Sequence, residues 1–212
     1  MRSKNLKLAG PLTALMEKVW EKVDFGTYHH TDYEGSQRTR ERVAILLDRV
    51  FDYIDNLGFR PKLILDAGSG LGFLSALACL RFREAEIFAA DNYSDSSLIG
   101  GGIAQARRNI GQLGLSGRVH LVRCDVRMLP VMAGKFDIVC TNLVYHNLGS
   151  EFASGVLELT AAVKNGGFLL FGDLFFDDRF YRSLGNSKII LELGINGRYL
   201  NKYRLVLVEI ST

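Results

Sequence analysis

The chain has 212 residues, 48% of them hydrophobic, and a formal net charge of +3. That length suits one α/β domain with a substantial core. The apolar fraction excludes a disordered chain, and so mild a charge gives no lead toward nucleic acid.

At the start of the chain there is no signal-peptide apolar region, and no apolar run approaches the ~18–20 residues needed to cross a bilayer. The expectation is a soluble, cytoplasmic protein with no membrane partner. Leu12, Leu15, Met16, Val19, Trp20 and Val23 recur at helical spacing and predict a short amphipathic helix. A polar, aromatic-rich stretch follows from Asp24 to Gly35, with Phe25, Tyr28, His29, His30 and Tyr33. A second helix is expected from about Ser36 to Leu57, with Val43, Leu46, Leu47, Val50 and Ile54 buried and Gly58 at its C-terminal end. Arg38, Arg40 and Arg42, like Arg107 and Arg108 further on, are read as solvated helix faces. Residues 1–58 are taken as an N-terminal helical cap or lid, and 59–212 as the main domain.

From Pro61 onward, strand and helix alternate. Strands are predicted at 62–66, 86–90, 119–124, 136–141 and 167–172, and helices at 73–83, 103–113 and 148–164. This alternation implies a doubly wound, mostly parallel sheet covered on both faces. A short helix at 174–184 leads to two further strand-like runs, 188–193 and 203–210, with Gly194, Asn196 and Gly197 between them as antiparallel neighbours. Cys79, Cys124 and Cys140 stand singly in these segments, without Cys-x-x-Cys spacing, which supports neither a zinc site nor a disulfide framework.

The most informative stretch is Leu63-Ile64-Leu65-Asp66-Ala67-Gly68-Ser69-Gly70-Leu71-Gly72, followed by Phe73-Leu74-Ser75-Ala76-Leu77. An apolar run ending in an acid and a Gly-x-Gly-x-Gly turn reads as buried strand, tight loop and helix start, where backbone can approach a ligand. A dinucleotide fingerprint would place glycine where Phe73 stands. Asp-x-Gly-x-Gly-x-Gly instead resembles the nucleoside-binding loop of class I S-adenosylmethionine-dependent methyltransferases. The next strand ends at Asp91, nineteen residues after Gly72, and the third at Cys124-Asp125-Val126 with Leu129-Pro130 beyond. The fourth runs Phe136-Asp137-Ile138-Val139-Cys140-Thr141-Asn142-Leu143-Val144-Tyr145-His146, and Val163-Lys164-Asn165-Gly166-Gly167-Phe168 turns into the fifth. As a set, these features are similar to that family over about residues 60–172.

The resemblance implies a Rossmann-like, seven-stranded, mostly parallel sheet with an antiparallel C-terminal strand, preceded by N-terminal helices. It also implies S-adenosylmethionine as cofactor, with Asp66, Gly68, Ser69, Gly70 and Gly72 in its loop. Asp91 and Asn92 would lie at the ribose, Asp125 and Val126 at the adenine, and Asn142 beside the reactive methyl. Gly100-Gly101-Gly102 depart from the family pattern. Three glycines cost roughly 2–3 kcal/mol in a helix interior relative to alanine, so an extended loop or broken helix is expected there. Candidates for a general base are Tyr145 and His146, the group Tyr28, His29, His30 and Tyr33, and Asp173. For His146 the ordinary alternative is a capped or solvated side chain. Two adjacent histidines lack a third ligand at metal spacing, and no metal is expected. Asn142-Leu143-Val144-Tyr145 keeps only the outer residues of the Asn-Pro-Pro-Tyr motif of N-methyltransferases, which favours a small or medium organic acceptor over nucleic acid or protein. Two other readings remain open: an RNA or protein methyltransferase, and a cofactor-binding protein without catalysis. The assembly is read as a monomer or homodimer.

Overall fold

Ile64 and Leu65 pack into opposite cores, as do Ile138 and Val139, and Leu170 and Leu169. Consecutive strand residues face opposite sides, and strands buried on both sides are what a covered parallel sheet requires. The computed structural model describes residues 23–29, 31–93, 98–99, 102–130, 133–174, 177–195 and 202–211. The expected first helix at Leu12–Trp20 lies outside them, as do His30, Ser94, Asp95, Ser96, Gly100, Gly101, Asn196 and Gly197.

In chain order the elements are β1 (Thr27–Tyr28), α1 (Tyr33–Asn56), β2 (Leu63–Ala67), α2 (Phe73–Arg81), β3 (Glu86–Asp91), β4 (Leu98–Ile99), α3 (Ile103–Gln112), β5 (Val119–Arg123), β6 (Phe136–Asn142), α4 (Phe152–Ala162), β7 (Val163–Asp173), α5 (Asp178–Ser183), β8 (Lys188–Gly194) and β9 (Arg204–Glu209). Seven of the strands form one sheet in the order β5-β3-β2-β6-β7-β9-β8. The first five are parallel, and β9 runs antiparallel to both β7 and β8. This is the expected Rossmann-like architecture. The order in which strands are added reverses between β2 and β6, and ligands bind at such a switch point, beyond the C-terminal strand ends.

One face of the sheet carries α1, α2 and α3, through Val43, Leu47, Leu74, Leu77, Ala106 and Ile110. The other carries α4 and α5, through Phe152, Val156, Leu159 and Phe180. Asp32 caps α1, its carboxylate accepting from the Gly35 amide at 2.6 Å. The helix stops where Gly58 takes φ +73°, a left-handed conformation that glycine adopts without strain. The apolar face of α1 (Val43, Leu46, Leu47, Val50, Phe51 and Ile54) belongs to the same hydrophobic cluster as one face of the sheet. At the other end of the sheet, Asp137 ties strand starts together, accepting from the amides of Lys62 (2.7 Å) and Leu63 (2.8 Å) and from Lys164 Nζ (2.7 Å).

Two departures from the expected elements bear on the site. The helix expected from 148 starts only at Phe152, because Tyr145–Asn147 and Gly149–Glu151 are separate 3-10 turns, the second opening on Gly149 at φ +55°. And a second, two-stranded antiparallel sheet joins β1 to β4. It anchors the aromatic stretch before α1 to the insertion that follows Asp91. Gly102 is the described member of the triple glycine, and α3 begins just after it, at Ile103.

Candidate active site

The glycine turn is held from below by β3. The Ala90 carbonyl accepts from the amides of Gly68 (2.8 Å) and Ser69 (3.1 Å), and Gly72, at φ +89°, leads into α2. At Gly68 (φ +80°) a Cβ would lie 2.3 Å from Val144 Cγ2, so the glycine is needed for packing between β2 and the chain leaving β6. Beside the loop, Asp91 holds its carboxylate with two backbone amides: Gly70 donates to Oδ2 at 2.9 Å and Tyr93 to Oδ1 at 2.7 Å. An ionised carboxylate oxygen accepts more than one hydrogen bond, so each keeps capacity for a ligand hydroxyl. Asp66 lies deeper, 1% exposed, and accepts from Ser75 Oγ at 2.5 Å. Burial pushes its carboxyl up to about 7, against the lowering effect of that hydroxyl, and neighbouring Asp91 adds to the rise.

A cavity of about 890 Å³ opens in front of these residues. Its walls include Gly68, Ser69, Gly70, Asp66 and Asp91 from the strand ends, Tyr28 and His29 from the segment before α1, and Asn142 and His146 from beyond β6. The register pairs Asn142 with Gly172, which sets the end of β6 beside the end of β7. There Asp173, fully buried, accepts from His146 Nδ1 at 2.6 Å and from the His146 amide at 3.1 Å. The Leu174 amide also donates to it, at 2.7 Å. A carboxylate accepts only, so the imidazole presents Nδ1–H to Asp173 and Nε2 becomes its basic nitrogen. Asn142 is fixed from behind: its Oδ1 accepts from the buried Tyr203 hydroxyl at 2.7 Å. Gly172 leaves room for that bond, since a Cβ there would lie 2.4 Å from the Tyr203 oxygen.

The family model for "Methyltransferase domain" matches residues 65–171, half of the chain, from the end of β2 to the end of β7. The chain belongs to this methyltransferase family. The family implies S-adenosylmethionine as the methyl donor. Among curated proteins, a malonyl-[acyl-carrier protein] O-methyltransferase of Legionella pneumophila is 30% identical over 149 residues, 69% of this chain and 47% of that protein. A demethylmenaquinone methyltransferase of Bacteroides fragilis is 26% identical over 122 residues, 58% of this chain and 47% of that one. The chain therefore spans about half the length of the curated relatives it matches. Among solved structures, the [4+2]-cyclase SpnF superposes with a TM-score of 0.62 at 16% identity, over 95% of this chain and 93% of SpnF. At that identity the likeness speaks for the fold alone.

Most of the residues expected to hold the cofactor converge in this methyltransferase cavity, and a few do not. Asn92 is exposed and absent from the cavity wall; Tyr93 takes its place, at φ +53°, its hydroxyl donating to the Ala89 carbonyl at 3.0 Å. Burial pushes that phenol up to about 12. Gly72 starts α2 and lies off the cavity wall; a Cβ there would come within 3.1 Å of Ile110, so this glycine serves helix packing. Asp125 and Val126 also lie off the wall. Asp125 is bound by Arg127, whose Nε donates to it at 2.9 Å, and that guanidinium holds its carboxyl below the usual range. Tyr145 is a correction: it is fully buried, its ring 5.4 Å from Phe171 and its hydroxyl donating to the Val126 carbonyl, on the core side of the turn. Burial pushes its phenol well above the ordinary value, and the side chain is off the cavity wall where an acceptor would bind. Arg40 is the second correction. It is not solvated but 1% exposed, because residues two apart on a helix lie about 200° apart and Arg38 and Arg42 take the outer side.

Sequence pattern alone does not reveal Val144, Tyr203 or the support that Ser75 gives Asp66. Tyr93 leaves one signal, an aromatic two residues beyond the ribose-position acid.

Proposed function

We propose that this chain is the cofactor-binding and catalytic portion of an S-adenosylmethionine-dependent methyltransferase acting on a small organic acceptor that carries a hydroxyl. One observation carries the reading: the glycine turn, Asp91 and His146 share the wall of a single cavity. Its size is at the upper end of the range of about 300–1,000 Å³ for small-molecule sites. S-adenosylmethionine, when bound, supplies a methyl group on a sulfonium, already activated for in-line displacement. Asp91 accepts the two ribose hydroxyls with the capacity left on its oxygens, and the amides of the glycine turn follow the rest of the nucleoside. Asn142, held by Tyr203, lines the face toward the acceptor.

His146 takes the acceptor's proton at Nε2, and Asp173 positions the ring and stabilises the imidazolium that results. Phe25, Tyr28, His29, Thr31 and Asp32, from the segment before α1, cover the cavity, with Tyr28 and His29 as acceptor contacts. Support for a small acceptor comes from the relatives: one is named for demethylmenaquinone, and another for a malonyl group, itself small though carried on acyl-carrier protein. The test is transfer of label from methyl-tritiated S-adenosylmethionine into a fractionated cell extract, with His146→Gln as control. Label in the low-mass fraction that His146→Gln abolishes is the expected result. Label confined to RNA, or to protein in a form that mild thioester cleavage does not release as a small acid, would overturn the small-acceptor reading.

A further inference from the structure

Consecutive residues of β7 hold two polar side chains at and just beyond the end of β6. Asn142 pairs with Gly172, and the Leu143 amide donates to the Gly172 carbonyl at 2.8 Å. His146 is held by the next residue, Asp173, through both its amide and its ring. Asn142 and His146 line the same cavity, so a ligand seated at the end of β6 meets them together.

The bonds behind these side chains decide what each presents. Asn142 Oδ1 accepts from the Tyr203 hydroxyl at 2.7 Å, and that phenol hydrogen has no other acceptor among the described residues. Such a partner fixes which way round an amide lies. The NH2 is therefore the half turned to the cavity. Among the described residues Nδ2 makes no hydrogen bond, and it is not one of the buried atoms left without a partner. His146 gives Nδ1–H to Asp173, which makes Nε2 the accepting nitrogen. The wall thus offers a hydrogen-bond donor beside a base.

Two kinds of acceptor fit this pair poorly. An amine turns N–H groups toward Asn142, and the amide oxygen that would accept them is taken by Tyr203. A simple alcohol would receive the Asn142 bond on its reacting oxygen. That oxygen loses negative charge as the methyl arrives, so the bond would stabilise the ground state more than the transition state and slow transfer. A second oxygen removes the conflict. When the hydroxyl is conjugated to a neighbouring carbonyl, Asn142 can donate to the carbonyl oxygen, an acceptor before and after transfer. Sharing charge with that carbonyl also makes the hydroxyl acidic enough for an imidazole base.

We propose that the acceptor of this cavity is a conjugated hydroxy-carbonyl compound, and that the Asn142 NH2 selects it by donating to the carbonyl oxygen while His146 faces the hydroxyl. Tyr203 is a positioning residue that acts through Asn142. The inference rests on the methyltransferase reading and narrows its acceptor.

Calorimetric titration on protein saturated with S-adenosylhomocysteine tests this without turnover. The probes are tropolone, whose hydroxyl adjoins a conjugated carbonyl, phenol, which lacks the carbonyl, and aminotropone, which has an amine in place of the hydroxyl. Native protein should bind tropolone roughly tenfold or more tightly than either of the others. Asn142→Asp, which puts an oxygen where the NH2 stood, should remove the preference over phenol and change S-adenosylhomocysteine affinity by less than about threefold. Tyr203→Phe frees the amide to turn over, so the preference for tropolone over aminotropone should shrink, which a loss of stability alone would not produce. The native comparison and Tyr203→Phe both stand if Asn142→Asp does not fold. Equal or undetectable binding of tropolone and phenol by native protein, or a preference that survives in a folded Asn142→Asp, would overturn the proposal; binding of S-adenosylhomocysteine in the same samples would leave the methyltransferase reading intact. Failure of native protein to bind S-adenosylhomocysteine at all would remove that reading, and this inference with it.

Discussion

Replacing Asp173 by asparagine should turn the His146 ring into the wrong tautomer for a base. Asp173 accepts three hydrogen bonds, two at Oδ1 (His146 Nδ1 and the Leu174 amide) and one at Oδ2 (the His146 amide). An asparagine has one oxygen and one NH2 in the same outline. If the oxygen faces the ring, the NH2 meets the His146 amide, donor against donor. If the amide turns over, the NH2 meets Nδ1, and the ring must carry its proton on Nε2 instead. Either way at least one buried amide loses its acceptor, which costs about 1–3 kcal/mol of stability. A hydrogen bond to a charged acceptor contributes about 1.5–3 kcal/mol, so native His146 should hold Nδ1–H over Nε2–H by roughly tenfold or more. Nitrogen-15 NMR of the imidazoles at alkaline pH, where a histidine is neutral, reads the tautomer without any acceptor. Four histidines are present, and His146→Gln assigns the signal. Native protein should show His146 protonated at Nδ1, and Asp173→Asn should lose that preference. Once an acceptor is known, Asp173→Asn should lower kcat by roughly 10²–10⁴, the range general-base catalysis supplies, with cofactor affinity within about twofold of native. A native His146 protonated at Nε2 would refute the assignment of Asp173 as its positioning partner.

Gly68→Ala forces a side chain into a left-handed backbone and against Val144, 2.3 Å from the new Cβ. The expected loss is about 2–4 kcal/mol, seen as a fall in Tm of roughly 5–15 °C; an unchanged Tm would show that the turn relaxes freely. Asp66 binds its proton more tightly in the folded chain than its ordinary value of 3.8. Between 3.8 and about 7 the folded state therefore holds the extra proton, and stability contributed by this group is full at the acid end and lost as pH rises through that window. The contribution is up to roughly 4 kcal/mol. Denaturant unfolding of the ligand-free protein should show this slope, flattened in Asp66→Asn; equal pH dependence in both would count against a protonated Asp66. Tyr203→Phe removes the bond that holds Asn142 and should cost about 1 kcal/mol in the same assay, with no change if the bond is not formed in solution.

The sheet was readable because its strands are short apolar runs, several closed by an acid or a glycine, and periodicity locates their bounds to within a residue or two except at the start of β7, which lies at Val163 rather than 167. The acids at strand ends were readable for the same reason: Asp66 and Asp91 fall where a parallel sheet presents its ligands. What sequence could not supply was the direction in which a side chain faces. Tyr145 and His146 are neighbours, yet a 3-10 turn sends one into the core and the other to the cavity wall. Arg40 sits between two exposed arginines with nothing in the local pattern to mark it as the inward one. The pairing of His146 with Asp173 depends on the register of β6 against β7, which joins residues 27 apart in sequence. The β1–β4 pair escaped notice because two residues per strand carry no period at all. Asp125 ends its strand as the family pattern implies, but Arg127 two residues on occupies its carboxylate, a local contact that spacing between motifs does not reveal.

The fold by itself decides little about the reaction, as the likeness to a cyclase illustrates, and the account stands on the nucleoside site. Calorimetric titration of native protein and Asp91→Ala with S-adenosylhomocysteine tests it most directly. The predicted result is saturable binding by native protein at one site per chain, weakened by roughly 30- to 1,000-fold in a folded Asp91→Ala, which corresponds to about 2–4 kcal/mol of charge-assisted hydrogen bonding. No binding by native protein, or equal binding by a folded Asp91→Ala, would contradict the assignment of this cavity as the S-adenosylmethionine site.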